Sequence, residues 1–172
     1  MDPWLLIIAI VAPVLAGGLI ALFGPTLGER CGGLGVAALW VSTILSFAVL
    51  TGVIRGGVIQ WDLQLGDLPI TVVADRLAGV MMVLISLVSL VIHVYSGRYM
   101  VGDPGFVRFF ALLGVLTSVL LGLVTSGNLL VILVCWHFIS WLLAALLAFN
   151  KASRAARDAG RRTLWIHGIG DA

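Results

Sequence analysis

A chain of 172 residues that is 61% hydrophobic and 10% charged, with a mean hydropathy of +1.17, lacks the polar surface that a water-soluble domain needs and reads as an integral membrane protein. Its net charge of +2 matters less than which connections carry the charge. Its two cysteines, Cys31 and Cys135, exclude a disulfide framework and a thiolate metal site, and the lack of a Rossmann glycine fingerprint, haem pair or iron–sulfur set disfavours a redox enzyme acting alone.

Residues 4–24 are the first apolar run. It opens with Asp2 rather than a basic segment and is too long for a signal-peptide core, so it is expected to be retained. Pro13 inside it should bend the helix and free a carbonyl for a neighbour. A short turn, PTLGERCG, leads to the second run, residues 34–54, whose Ser42, Thr43 and Ser46 can bond back to their own helix. Residues 55–76 break the pattern: Ile59, Trp61, Leu63 and Leu65 alternate with Gln60, Asp62 and Gln64, and Gly66-Asp67 turns the chain. This predicts a small extramembrane β-hairpin over residues 58–73.

Residues 77–95 form the third span, in which Ser86, Ser89 and His93 fall at i, i+3 and i+7 and so line one face, a face expected to meet protein rather than lipid. The fourth span, residues 109–125, contains Thr117 and Ser118. Residues 128–149 then reach the roughly 20 apolar residues needed to cross a bilayer. Beyond them KASRAARDAGRR predicts a basic amphipathic helix over 151–162, in which Lys151, Arg154, Arg157, Arg161 and Arg162 would set orientation or contact lipid headgroups. From Thr163 an apolar pattern resumes as a partial sixth span.

The expectation is one all-α integral membrane domain of five complete transmembrane helices and a partial sixth, with a small extramembrane β-hairpin between helices 2 and 3. Arg30, Arg98, Arg108 and the five basic residues of 151–162 fall on one side, against Arg55 and Arg76 on the other. That asymmetry makes the first side cytoplasmic and the N-terminus external.

Ionisable groups within apolar spans mark ion paths by default. His137 lies at mid-depth of the fifth span, with Ser140 three residues on, and a lipid-facing ring there would leave its nitrogens unbonded. It should therefore face protein, toward the third span or the partial sixth, within reach of a hydroxyl or Asp171. His93 lies nearer the cytoplasmic end of its span, where interface bonding is the plainer reading. His167 and Asp171 complete the set of proton-path candidates. No catalytic residue, metal ligand, cofactor or nucleic-acid partner is expected.

From about Asp75 onward the chain resembles the antiporter-like membrane subunits of respiratory complex I (NADH-quinone oxidoreductase chain L, mitochondrial subunit 5) and of multisubunit sodium/proton antiporters. The shared residues are Ile92-His93-Val94-Tyr95-Ser96, Tyr99-Met100, Arg108-Phe109-Phe110, Asn128-Leu129-Leu130, Trp136 and Gly170-Asp171. The resemblance implies the N-terminal part of a proton-translocating subunit in an inner (plasma) membrane, not catalytic alone, joined to other membrane subunits. It also implies further spans, with central lysines, beyond Ala172. Two positions depart from the complex I pattern: His137 stands where that branch has a proton-path glutamate, and Gly168 where it has an arginine. Gly102-Asp103-Pro104-Gly105, Ser126-Gly127-Asn128 and the missing glutamate look more like the membrane subunit of DAB-type inorganic-carbon uptake systems, whose partner is a peripheral zinc-containing carbonic-anhydrase-like protein. A truncated structural subunit that conducts nothing is the third reading.

Overall fold

The computed structural model describes residues 3–65, 68–149 and 154–170. Four helical segments among them are long and apolar enough to cross a membrane: Trp4–Gly56, Arg76–Tyr99, Phe106–Val124 and Leu129–Leu147. The first is 53 residues long because the expected PTLGERCG turn is itself helical. α1 (Trp4–Leu27) runs through Pro25 into a 3-10 turn, Gly28–Arg30, and α2 (Cys31–Gly56) follows directly. Gly28, at φ 56°, makes the reversal, a conformation open to glycine because it has no Cβ.

The reversal lays α2 antiparallel to α1. Leu6 and Ala9 near the start of α1 pack in one buried cluster with Val49 and Val53 near the end of α2, together with Met82 and Leu121. Ser42 Oγ donates to the Ala9 carbonyl at 2.7 Å. That is the carbonyl that Pro13, lacking an N–H, leaves unbonded in its own helix. Ser42 thus bonds across helices, while Thr43 and Ser46 bond back to Leu39 and Ser42 within α2, as the sequence predicts.

The hairpin forms as expected. β1 (Ile59–Leu65) and β2 (Leu68–Ala74) pair antiparallel from Ile59↔Ala74 to Leu65↔Leu68, and the Gly66-Asp67 turn lies outside the described residues. Ile59 and Ala74 are buried in the cluster around Leu6, so the base of the hairpin closes one end of the bundle. There β2 also meets the connection after α4: Val73 N–H donates to the Thr125 carbonyl at 2.7 Å and Gly127 N–H to the Thr71 carbonyl at 2.8 Å. Trp4 packs on Trp61 at the same end, ring centroids 5.8 Å apart.

α3 (Arg76–Tyr99) starts where the Asp75 carboxylate accepts the Ala78 N–H at 2.7 Å, an N-cap that satisfies an otherwise orphaned donor. α4 (Phe106–Val124) begins three residues earlier than the apolar run, and α5 (Leu129–Leu147) is capped by Asn128. At the end opposite the hairpin, Glu29 accepts the Gly102 N–H at 2.6 Å and Phe149 packs on Phe109. The α1–α2 and α3–α4 connections therefore lie at one end of the bundle and the α2–α3 and α4–α5 connections at the other.

α1 and α4 approach closely because both carry glycine at the crossing. A Cβ on Gly114 would lie 2.7 Å from the Pro13 carbonyl oxygen, and one on Gly17 2.8 Å from that of Ala111. Small residues at such crossings let apolar helices gain dispersion contacts where no water-driven force acts between them. After α5 a single helix, α6 (Arg154–Gly170), runs through both the expected surface helix and the expected partial span, without a break at Arg162.

Candidate functional site

The site is built from a polar seam inside an apolar bundle. α3 buries Ser86, Ser89, His93 and Ser96, extending by one turn the face that the sequence singles out, along roughly 15 Å of helix at about 1.5 Å per residue. α2 contributes Ser42, Thr43 and Ser46, and α4 contributes Thr117 and Ser118, all buried.

His93 is 0% exposed. Its Nδ1 lies 2.8 Å from the Ser89 carbonyl oxygen, which can only accept, so Nδ1 carries a proton, and whenever the ring is neutral Nε2 is its acceptor. Phe110 stands edge-on to the ring at 5.6 Å. Gly35 of α2 is the neighbour on the Nε2 side: a Cβ there would sit 3.0 Å from Cδ2 and 3.5 Å from Nε2. Glycine is what lets the imidazole lie flush against α2. Among the described residues Nε2 has no hydrogen-bond partner, nor has the buried Ser118 Oγ.

A second link crosses from α3 to α4. Thr117 Oγ1 lies 3.0 Å from Ser89 Oγ and 2.9 Å from the Leu113 carbonyl oxygen. Each hydroxyl holds one proton and can accept another. When Thr117 donates to Leu113, Ser89 can donate to Thr117; when Thr117 donates to Ser89, that arrangement reverses. Ser89 is thus tied to a switchable hydroxyl pair through its side chain and to His93 through its carbonyl.

His137 sits elsewhere. It is exposed on α5, where the buried side chains are Ser140, Leu142 and Ala144. α5 packs chiefly on α4 and α6, so of the two neighbours expected for it, the third span or the partial sixth, it meets the helix that holds the partial sixth. The α5–α6 contact runs over Ala144, whose carbonyl oxygen would lie 2.8 Å from a Cβ on Gly160; His137, two turns earlier on the same side of α5, is exposed, as are Trp136, Phe138 and Trp141. Ser140 is buried and donates to the Trp136 carbonyl at 3.3 Å. Arg161 and Arg162 are exposed on α6, which also carries Arg154, Arg157 and His167. The side chains of those last three, and Lys151 and Asp171 entirely, lie outside the described residues.

The sequence ranks His137 above His93, and the structure encloses His93. The Ser86/Ser89/His93 spacing already marked that face as buried; the missing signal was Gly35, whose role shows only once α2 is laid against α3.

Residues 61–110, spanning the hairpin, α3 and the start of α4, match the family model described as the N-terminus of NADH-ubiquinone oxidoreductase (complex I) chain 5. Over those residues the chain is similar to complex I chain 5. It is 33% identical over 159 residues, 92% of its length, to the probable inorganic carbon transporter subunit DabB1 of Halothiobacillus neapolitanus, covering 28% of that protein. It is 32% identical over 143 residues, 79% of its length, to NAD(P)H-quinone oxidoreductase chain 5 of Picosynechococcus, covering 21%. Against the chloroplastic NAD(P)H-quinone oxidoreductase subunit 5 of Chlorokybus atmophyticus it is 33% identical over 178 residues, 98% of its length, covering 27%. The chain thus spans about a quarter of the length of these curated relatives. Its long apolar helices make it a multi-pass membrane protein, and these relatives carry the names of a transporter subunit and of quinone oxidoreductase chains.

Proposed function

We propose that this chain is the N-terminal part of a subunit that moves protons within a complex I-related, NADH-quinone oxidoreductase-type assembly in a cell inner (plasma) membrane. The observation that supports this reading is the enclosed imidazole of His93, linked through Ser89 to Thr117. An imidazole can both give and take a proton near neutral pH, and hydroxyls can relay one. In this reading Trp4–Gly56 crosses the membrane twice, which makes five crossings with α6 as an incomplete sixth. The N-terminus and hairpin lie outside. His137 and Ser140 on α5, with His167 and Asp171, extend the proton path toward the rest of the assembly, and Lys151, Arg154, Arg157, Arg161 and Arg162 meet lipid headgroups or a neighbouring subunit at the cytoplasmic surface.

A second reading is a membrane subunit of a DAB-type inorganic-carbon uptake system, with a peripheral zinc carbonic-anhydrase-like partner. It is favoured by His137 standing in place of the glutamate and by the similarity to DabB1 over 92% of this chain.

Purification of the intact assembly through a tag on this subunit, followed by reconstitution into vesicles, separates the readings. Proton uptake driven by NADH and quinone supports the first. Uptake of inorganic carbon with a co-purifying zinc protein supports the second. An intact assembly that conducts in neither assay leaves the chain a structural subunit.

A further inference from the structure

A groove of about 820 Å³ runs along the outer side of α2 and α3, within the roughly 300–1,000 Å³ typical of ligand sites. Its wall is apolar over most of its length, with Leu87, Val91 and Val94 among its lining residues, and Trp40 faces it from α2. Only its end at the α3 C-terminus is different. There Tyr95 and Tyr99 stack with ring centroids 5.8 Å apart and an interplanar angle of 15°, and Arg98 stands between them in sequence, exposed. From Leu87 to Tyr99 the wall is roughly 18 Å long at about 1.5 Å per residue.

We infer that this groove binds one anionic phospholipid, with its acyl chain along Leu87, Val91 and Val94 and its phosphate on Arg98. The charge pattern selects the occupant. Among the described residues Arg98 is the groove's one cation, and the carboxylates at that end, Glu29 and Asp103, accept backbone N–H groups, from Gly102 and Gly105, each at 2.6 Å. A guanidinium offers paired donors to a phosphate, and stacked tyrosines beside it suit the headgroup level, where aromatic belts gather. A partner helix laid in the same groove would need an acidic side chain at that end to pair Arg98. A phospholipid is apolar along its length and anionic at one end, as the groove is apolar along its length and cationic at one end.

The test uses the intact subunit in its assembly, embedded in phosphatidylcholine vesicles doped with a diazirine-bearing phosphatidylglycerol or, in parallel, a diazirine-bearing phosphatidylcholine, with peptide mapping after irradiation. The expected result is labelling of residues 87–99 that is stronger with phosphatidylglycerol. Arg98→Gln should lower that labelling roughly fivefold, about 1 kcal/mol per surface cation, and leave the phosphatidylcholine signal unchanged. Val91→Trp, which fills the groove, should lower both. Equal labelling by the two lipids, no effect of Arg98→Gln, or cross-linking of a photoreactive residue at Val94 to a protein chain instead would each overturn the inference.

Discussion

Ser42 on α2 donates its hydroxyl at 2.7 Å to the Ala9 carbonyl of α1, the acceptor that Pro13 cannot serve. A kink-forming residue and a buried serine 29 positions later are therefore one device: the proline frees the acceptor, and the serine uses it to fix how α2 lies on α1. Ser42→Ala should leave that carbonyl unpaired in an apolar interior and lower stability by about 0.6–2 kcal/mol. Thermal unfolding of the detergent-purified protein checks this, with the exposed Thr51→Ala as a control that should not move. A Ser42→Ala midpoint equal to wild type would mean that another donor replaces the hydroxyl.

The α1–α4 crossing depends on Gly114, where a Cβ would meet the Pro13 carbonyl oxygen at 2.7 Å. Backbone cannot rotate away as a flexible side chain can. Gly114→Ala should force the helices apart and cost about 1–3 kcal/mol, whereas Gly18→Ala, which meets nothing within 4 Å, should be tolerated. Comparable unfolding midpoints for the two variants would contradict the close approach.

Gly35 tests the seam from the other side. A methyl group there would press on the His93 ring at 3.0 Å, and the Nδ1 bond to Ser89 would have to stretch as the imidazole gives way. Gly35→Ala should shift the His93 ring resonances in NMR spectra of the selectively labelled protein and leave those of His137 in place. Movement of the His137 signals alone would show that the two histidines are arranged otherwise.

Glu29 and Val101 share one end of the bundle, and Gln60 and Asp62 the other. With the N-terminus outside, Glu29→Cys and Val101→Cys should react with a membrane-impermeant maleimide only after the cytoplasmic face is opened, and Gln60→Cys should react in intact cells. The reverse pattern would invert the orientation drawn from the arginine and lysine count.

Apolar length and polar punctuation made the helices and hairpin readable from the sequence, and the i, i+3, i+7 spacing of Ser86, Ser89 and His93 named the buried face of α3. Two things were not readable. PTLGERCG carries a proline and two glycines, the marks of an open turn, yet it continues as helix because only Gly28 has to leave the right-handed region. His137 has the more apolar surroundings in sequence, but depth in a membrane says nothing about the direction around the helix axis. His137 is exposed although it shares a side of α5 with Ala144, which packs on Gly160 of α6, while Gly35 opened the space for His93.

The most direct test is the proton-uptake rate of vesicles carrying the intact assembly with His93→Gln. Glutamine can keep a hydrogen bond to the Ser89 carbonyl, so the variant should assemble and unfold like wild type, but it does not exchange protons near neutral pH. A loss of at least about tenfold in the initial rate is expected, since positioned acid–base groups supply roughly 10²–10⁴-fold. An unchanged rate in a fully assembled His93→Gln complex would contradict it and leave the seam a packing feature.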